Sequence, residues 1–438
     1  MVRFEVLWIF FLFAVSGAGN ASGNLEERID DAVNRISADT CFAQADPSLC
    51  EWGEYGLGPE HFDMAVSTGE AILIIDEFGD GVLPQFVRYR NRLLGIYQVN
   101  GQTVEAQQLA VRLPKQLGDA LVSFAGPEFI PASRLARVSE AAGYAYSKVP
   151  LLFLGHGGIV FSHLVELAPE QPLVILNIKG VTGLLPSLCE RIDDETLGAA
   201  AEHFTGIASS LKELMNRHNV RFVNFSIGDS TQTMATDWSR TCGTGVPNAE
   251  VRRRLLHLYD PIYDVLFHTE GVATAHAAAN LSNPDDFPFD QARPLYPNRV
   301  RVGFISSLRS GLDEVGRGTV QKADQFPGNN SDADLFVNWG CELFRGCADS
   351  HYEFAGAFGL GAYAMPIMST SYVNPLGLGR LIHLRYGSHS EEPMSNALIQ
   401  ALREELTPSL CGADGAQPCV YQDPILHRQL EIYRRGYR

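Results

Sequence analysis

The chain has 438 residues, of which 51 are acidic and 34 basic, giving a formal charge of −17; 45% are hydrophobic and 19% charged. This is the composition of a globular protein with material for a large core, and it excludes a disordered chain, a collagen-like repeat and a coiled coil. The acidic balance argues against a nucleic-acid partner, which needs a basic surface, and against attraction to anionic membranes.

Residues 1–18 form the first recognisable unit. Arg3 precedes the apolar run Val6–Val15, and Ser16-Gly17-Ala18 supply small residues where a signal peptidase cuts. The run is shorter than the roughly 20 residues that a membrane helix needs. It reads as a cleaved secretory signal, with no membrane anchor after cleavage and export to the periplasm or the extracellular space. In that setting the eight cysteines are expected to form disulfides. Cys41/Cys50, Cys341/Cys347 and Cys411/Cys419 are close in sequence, which leaves Cys189 and Cys242 for each other; the spacing alone leaves the connectivity open.

Asn24–Ala38 reads as an amphipathic helix, with Ile29, Val33 and Ile36 at helical spacing. A loop-rich segment with two cysteines follows, and residues 19–70 are read together as an N-terminal extension. Ala71–Asp76 (AILIID) is a short apolar strand. Residues 81–150 are a long mixed stretch, read as an insertion. Further strands are expected at Pro172–Lys179, Val220–Gly228, Gly271–Asn280 and Arg299–Ile305. Helical patterns lie between them at Thr196–Arg217 and Ala249–Phe267, the second kinked or broken by Pro261. Continuously apolar strands alternating with helices predict an α/β fold with a doubly wound, mostly parallel sheet covered on both faces. Residues 71–405 would form this domain, and 406–438, with Cys411 and Cys419, a C-terminal tail. In such sheets the chemistry sits at the carboxyl ends of the strands.

Four polar residues occupy suggestive places. Asp76 ends a strand, where a carboxylate most often caps a turn but can also orient a histidine. His156 projects from a glycine-rich turn, Gly155-His156-Gly157-Gly158, into a helix marked by Val160, Leu164 and Leu167. Asn280 follows three alanines at a strand end, where an amide can donate to a developing oxyanion. Ser371 enters an apolar helical pattern, so backbone N–H groups lie nearby. Each has an ordinary structural explanation. Together, Asp76, His156 and Ser371 stand in one of the known orders of a catalytic triad. In a triad the serine attacks a carbonyl, the histidine takes its proton, and the aspartate holds the imidazole in the correct tautomer.

With these residues in order, the chain resembles the subtilisin-like serine proteases (subtilases), as a divergent member. AILIIDEFG stands for the strand that ends in the aspartate. HGGIVFSHLVELAP begins at His156-Gly157 and reaches Ala168-Pro169 at the family's spacing. VNFSIG supplies Ser226-Ile227-Gly228, GVATAHAAAN ends at Asn280, Tyr296-Pro297 precedes VRVGFIS, and Ser369-Thr370-Ser371 with Pro375 opens the last helix. The resemblance implies a secreted serine endopeptidase acting on polypeptides through an acyl-enzyme. Asp76, His156 and Ser371 would be catalytic, Asn280 and the Ser371 N–H would form the oxyanion hole, and Ser226, Ile227 and Gly228 would pair with an extended substrate. Several flanking residues depart from the family pattern: Glu77-Phe78, Gly158-Ile159, Ala279, Ser369 and Tyr372. They support the alternative of a catalytically impaired subtilase fold kept as a binding or scaffold module.

No cofactor is expected. Two oxygen-rich loops, Asn283-Pro284-Asp285-Asp286 with Asp290 and Asn329-Asn330-Ser331-Asp332 with Asp334, are candidate Ca2+ ligands, although ordinary polar loops look the same.

Overall fold

The computed structural model describes residues 24–44, 46–147, 155–243, 245–277, 284–290, 296–312, 318–327, 333–338, 358–359, 370–406 and 420–421. The signal segment, Asn280, and Cys341, Cys347, Cys411 and Cys419 lie outside the described residues.

Twelve strands are described: β1 (Trp52–Leu57), β2 (Ala71–Asp76), β3 (Leu93–Asn100), β4 (Thr103–Ala106), β5 (Leu109–Pro114), β6 (Leu173–Asn177), β7 (Val220–Phe225), β8 (Ala273–Ala277), β9 (Arg299–Leu312), β10 (Gly318–Pro327), β11 (Leu335–Asn338) and β12 (Val420–Tyr421). The main sheet runs β12-β11-β9-β8-β7-β2-β6-β3-β4, with β10 paired to β9. Its pairings are parallel except β3 with β4 and β9 with β10. The expected strands at 172–179 and 220–228 are shorter than their apolar runs, because the rim residues leave the ladder; of the run at 271–280, Ala273–Ala277 is strand, and 278–280 lie outside the described residues. The run at 299–305 is longer, because β9 continues into a hairpin with β10.

β2 sits at the centre with β6 on one side and β7 on the other. The chain therefore crosses over β2 between β6 and β7, which makes the carboxyl end of β2 a topological switch point. All six β2 residues are buried. Ile72 and Ile74 face one core, while Ala71, Leu73 and Ile75 face the other. Each fully buried Ile or Leu contributes about 1.5–3 kcal/mol. The first face carries the helices Gly155–Leu167, Thr370–Ser388 and Asn396–Leu406; the second carries Asp194–Arg217, Ala249–Leu256 and Asp260–His268. The pattern at 249–267 is indeed broken before Pro261, which enters the first turn of a new helix.

The stretch 81–150 is richer than its sequence suggested. β3 extends the main sheet beside β6, and β5 pairs antiparallel with β1, from Trp52 opposite Pro114 to Leu57 opposite Leu109. The helix Leu25–Ala38, closed by a capping box between Asn24 and Glu27, lies against the helices Lys115–Ser123 and Ala136–Ser147. Arg134 pairs with Glu26 and Arg137 with Asp30 across that contact. Disulfides join Cys41 to Cys50 and Cys189 to Cys242.

Candidate active site

Side chains alternate along a strand, so Asp76 shares the face of Ile72 and Ile74, the face that carries the helices of His156 and Ser371. His156 is the second residue of its helix. Gly155 before it holds φ at +66°, and a Cβ there would strike the Gly79 nitrogen and the Glu77 oxygen. A Cβ on Gly157 would meet Phe78 and the Asp76 side chain. Only glycine lets this turn press against the segment after β2, where the Gly157 N–H donates to the Glu77 carbonyl at 2.6 Å.

The three side chains meet. His156 Nδ1 lies 2.7 Å from Asp76 Oδ1, and His156 Nε2 lies 2.7 Å from Ser371 Oγ. The Glu77 N–H also donates to Asp76 Oδ1, at 2.7 Å. Asp76 Oδ2 is buried and receives no hydrogen bond from the described residues. Burial raises the Asp76 carboxyl above its ordinary value, with the His156 hydrogen bond and charge and the Glu77 N–H opposing that rise. Ser371 is the second residue of the helix Thr370–Ser388, so first-turn N–H groups lie beside its hydroxyl. Chemically, the set can pass the serine proton to the imidazole while a buried carboxylate fixes the Nδ1–H tautomer.

The rim around this chain is polar and aromatic. Ser226 follows β7, and its hydroxyl accepts from Asn224 Nδ2 at 2.8 Å and Asn374 Nδ2 at 3.3 Å. The Ile227 carbonyl is held 3.2 Å from Nε2 of His276 on β8. Burial, reinforced by Arg299, keeps that ring well below the usual histidine range, so it is neutral and donates from Nε2. Gly228 lies against the same ring. Of the candidate Ca2+ loops, Asp286 engages Thr231 and Arg253, Asp290 engages Arg299 and Arg301, and Asp334 pairs with Arg403. Among the described residues no group of three His, Cys, Asp or Glu side chains is placed to hold a metal ion, and no helix is long and apolar enough to cross a membrane.

Tyr372 was singled out in the sequence only as a departure from the family pattern, and Asn374 was given no role. Tyr372 covers the His156 ring, and Asn374 reaches from the Ser371 helix into the sheet. The available signal was an asparagine inside the apolar run Val373–Leu378, three positions after the serine.

No family model and no curated protein matches the chain. Among solved structures it is similar to Pseudomonas sedolisin, described as a serine-carboxyl proteinase complexed with two molecules of pseudo-iodotyrostatin. The TM-score is 0.34 and the identity 11%, and the alignment covers 88% of this chain and 99% of that one.

Proposed function

We propose that the chain is an exported, subtilisin-like serine endopeptidase. The observation that carries this reading is the continuous hydrogen-bonded series from Asp76 through His156 to Ser371, with the serine in the first turn of a helix. In the proposed reaction His156 Nε2 accepts the Ser371 proton as Oγ attacks the substrate carbonyl. The imidazolium, stabilised by Asp76, then protonates the leaving amine, and water hydrolyses the acyl-enzyme by the reverse relay. The Ser371 N–H and, by resemblance, Asn280 would hold the oxyanion. The backbone of Ser226, Ile227 and Gly228 would receive an extended polypeptide as an added strand. The mechanism invokes no cofactor. The two disulfides suit an oxidising compartment. Residues 1–18 are proposed as the signal peptide, 19–70 as the extension, 71–405 as the peptidase domain and 406–438 as the tail.

One observation favours the second reading, a subtilase fold with impaired catalysis serving as a binding or scaffold module. The carboxylate that must carry negative charge is buried, which raises its pKa, and among the described residues only one of its oxygens receives hydrogen bonds. Incubation of the purified protein with an unfolded polypeptide distinguishes the two. Cleavage by wild type that disappears in folded Ser371→Ala supports the peptidase; no cleavage by either overturns it.

A further inference from the structure

Asn374 is fully buried on the face of its helix that meets the sheet. Its Nδ2 group lies 3.0 Å from the Ala275 carbonyl on β8, 3.1 Å from Asn224 Oδ1 on β7 and 3.3 Å from Ser226 Oγ just beyond β7. Two N–H bonds are thus shared among three acceptors. Asn224 closes the cluster by donating to the same Ser226 hydroxyl. Strand parity explains why these atoms converge. Phe222 faces the first core, so Asn224 and Ser226 point the same way, toward the underside of the Ser371 helix.

An amide is an expensive choice at this position. Its neighbours Val373, Leu376 and Leu378 are buried and apolar, and an apolar side chain there would avoid the cost of desolvating a polar group. Buried polar clusters instead fix one arrangement among the many that apolar packing would accept. What this one fixes is the register of three elements. The helix carries Ser371 one turn before Asn374, β7 leads into Ser226-Ile227-Gly228, and β8 leads toward Asn280. Apolar contacts alone would let the helix slide by fractions of an ångström, and attack by a hydroxyl does not tolerate that: a misplacement of about 1 Å costs about 100-fold in rate.

We propose that Asn374 is a positioning residue: its side-chain amide pins the Ser371 helix to β7 and β8, setting the distance between the serine hydroxyl and a polypeptide bound along 226–228. This inference rests on the serine peptidase reading. It predicts a role in the acylation step and little role in ground-state binding, because no Asn374 atom is exposed to meet substrate.

The test is the rate of covalent modification by a fluorophosphonate reporter, measured with kcat and KM on a peptide substrate. Asn374→Asp keeps the size and replaces the donor by an acceptor facing acceptors. The proposal expects acylation and kcat to fall at least about tenfold, with KM within about twofold, in a protein of unchanged circular dichroism. Should the carboxylate prevent folding, Asn374→Ala and Asn374→Ser give the same comparison, with alanine slowed at least about tenfold and serine, still a donor, recovering part of the rate. A reactive wild type whose folded variants react equally fast overturns the inference alone. A folded wild type that the reporter does not modify overturns the peptidase reading and the inference with it.

Discussion

The imidazole of His156 and the phenol ring of Tyr372 form a tilted pair, with centroids 4.5 Å apart and planes 30° from parallel. Tyr372 immediately follows Ser371, so the helix that brings the hydroxyl to one edge of the imidazole also brings a ring over its face. Aromatic pairs of this kind contribute about 0.5–1.5 kcal/mol. If the stack holds the ring in the plane that serves both Asp76 and Ser371, Tyr372→Ala should lower kcat by about 2–10-fold. Tyr372→Phe should keep most of the rate. Steady-state kinetics on a peptide substrate check this, and equal loss in both variants would assign the effect to the hydroxyl.

At the other end of the His156 helix a guanidinium gathers the terminal carbonyls. Arg92, buried in the core, donates to the carbonyls of Val165 at 2.6 Å, Ala168 at 2.5 Å and Gln171 at 3.1 Å. These carbonyls lie in the last turn and just beyond it, where no intrahelical donor remains. Burial lowers the Arg92 pKa to about 10, which still leaves the group charged at neutral pH. Arg92→Met strands the buried Val165 and Gln171 carbonyls, each costing about 1–3 kcal/mol, and leaves the Ala168 carbonyl with the Gln171 N–H. Urea denaturation should show a loss of about 2 kcal/mol or more. Arg92→Lys should lie between, because an ammonium cannot reproduce the planar fork.

Asp229, next to Gly228, is a pH-dependent element of the rim. Its Oδ2 accepts from the Tyr263 hydroxyl at 2.8 Å. Burial pushes its carboxyl up to about 6 from an ordinary 3.8; bonds from Tyr263 and Thr182 oppose the rise and Asp237 adds to it. The phenol of Tyr259 is also close enough to feel its charge. A folded pKa above the unfolded one gives stability that is complete below about 3.8 and is lost as pH rises through about 6. The shift amounts to about 3 kcal/mol. Asp229→Asn remains neutral, so relative to wild type it should gain about 1–3 kcal/mol between roughly pH 4 and pH 8. Chemical denaturation at the two pH values checks it; a difference that does not change with pH contradicts the assignment.

Much of the central sheet was legible because its strands are short, continuously apolar runs that end at turn residues. Asp76, His156 and Ser371 could be singled out because each stands at a junction: the end of a strand, a glycine turn opening a helix, and the start of another helix. β3 and β5 were not legible. β3 pairs with β6, some eighty positions later, and β5 pairs backwards with β1, and neither has a continuous apolar run to mark it. The polar cluster under Ser371 was hidden for a related reason. Asn224 and Asn374 are 150 residues apart, and strand parity tells which face Asn224 takes but not what meets it there.

The most direct test of the account is the site and dependence of covalent modification by a fluorophosphonate. Mass spectrometry of the labelled wild-type protein should locate the adduct on Ser371. Asp76→Asn should slow labelling by about 10⁴-fold, as expected when the imidazole loses the partner that fixes its tautomer, and His156→Ala should nearly abolish it. Labelling elsewhere in the chain, or labelling of Ser371 that is indifferent to both substitutions, would contradict it.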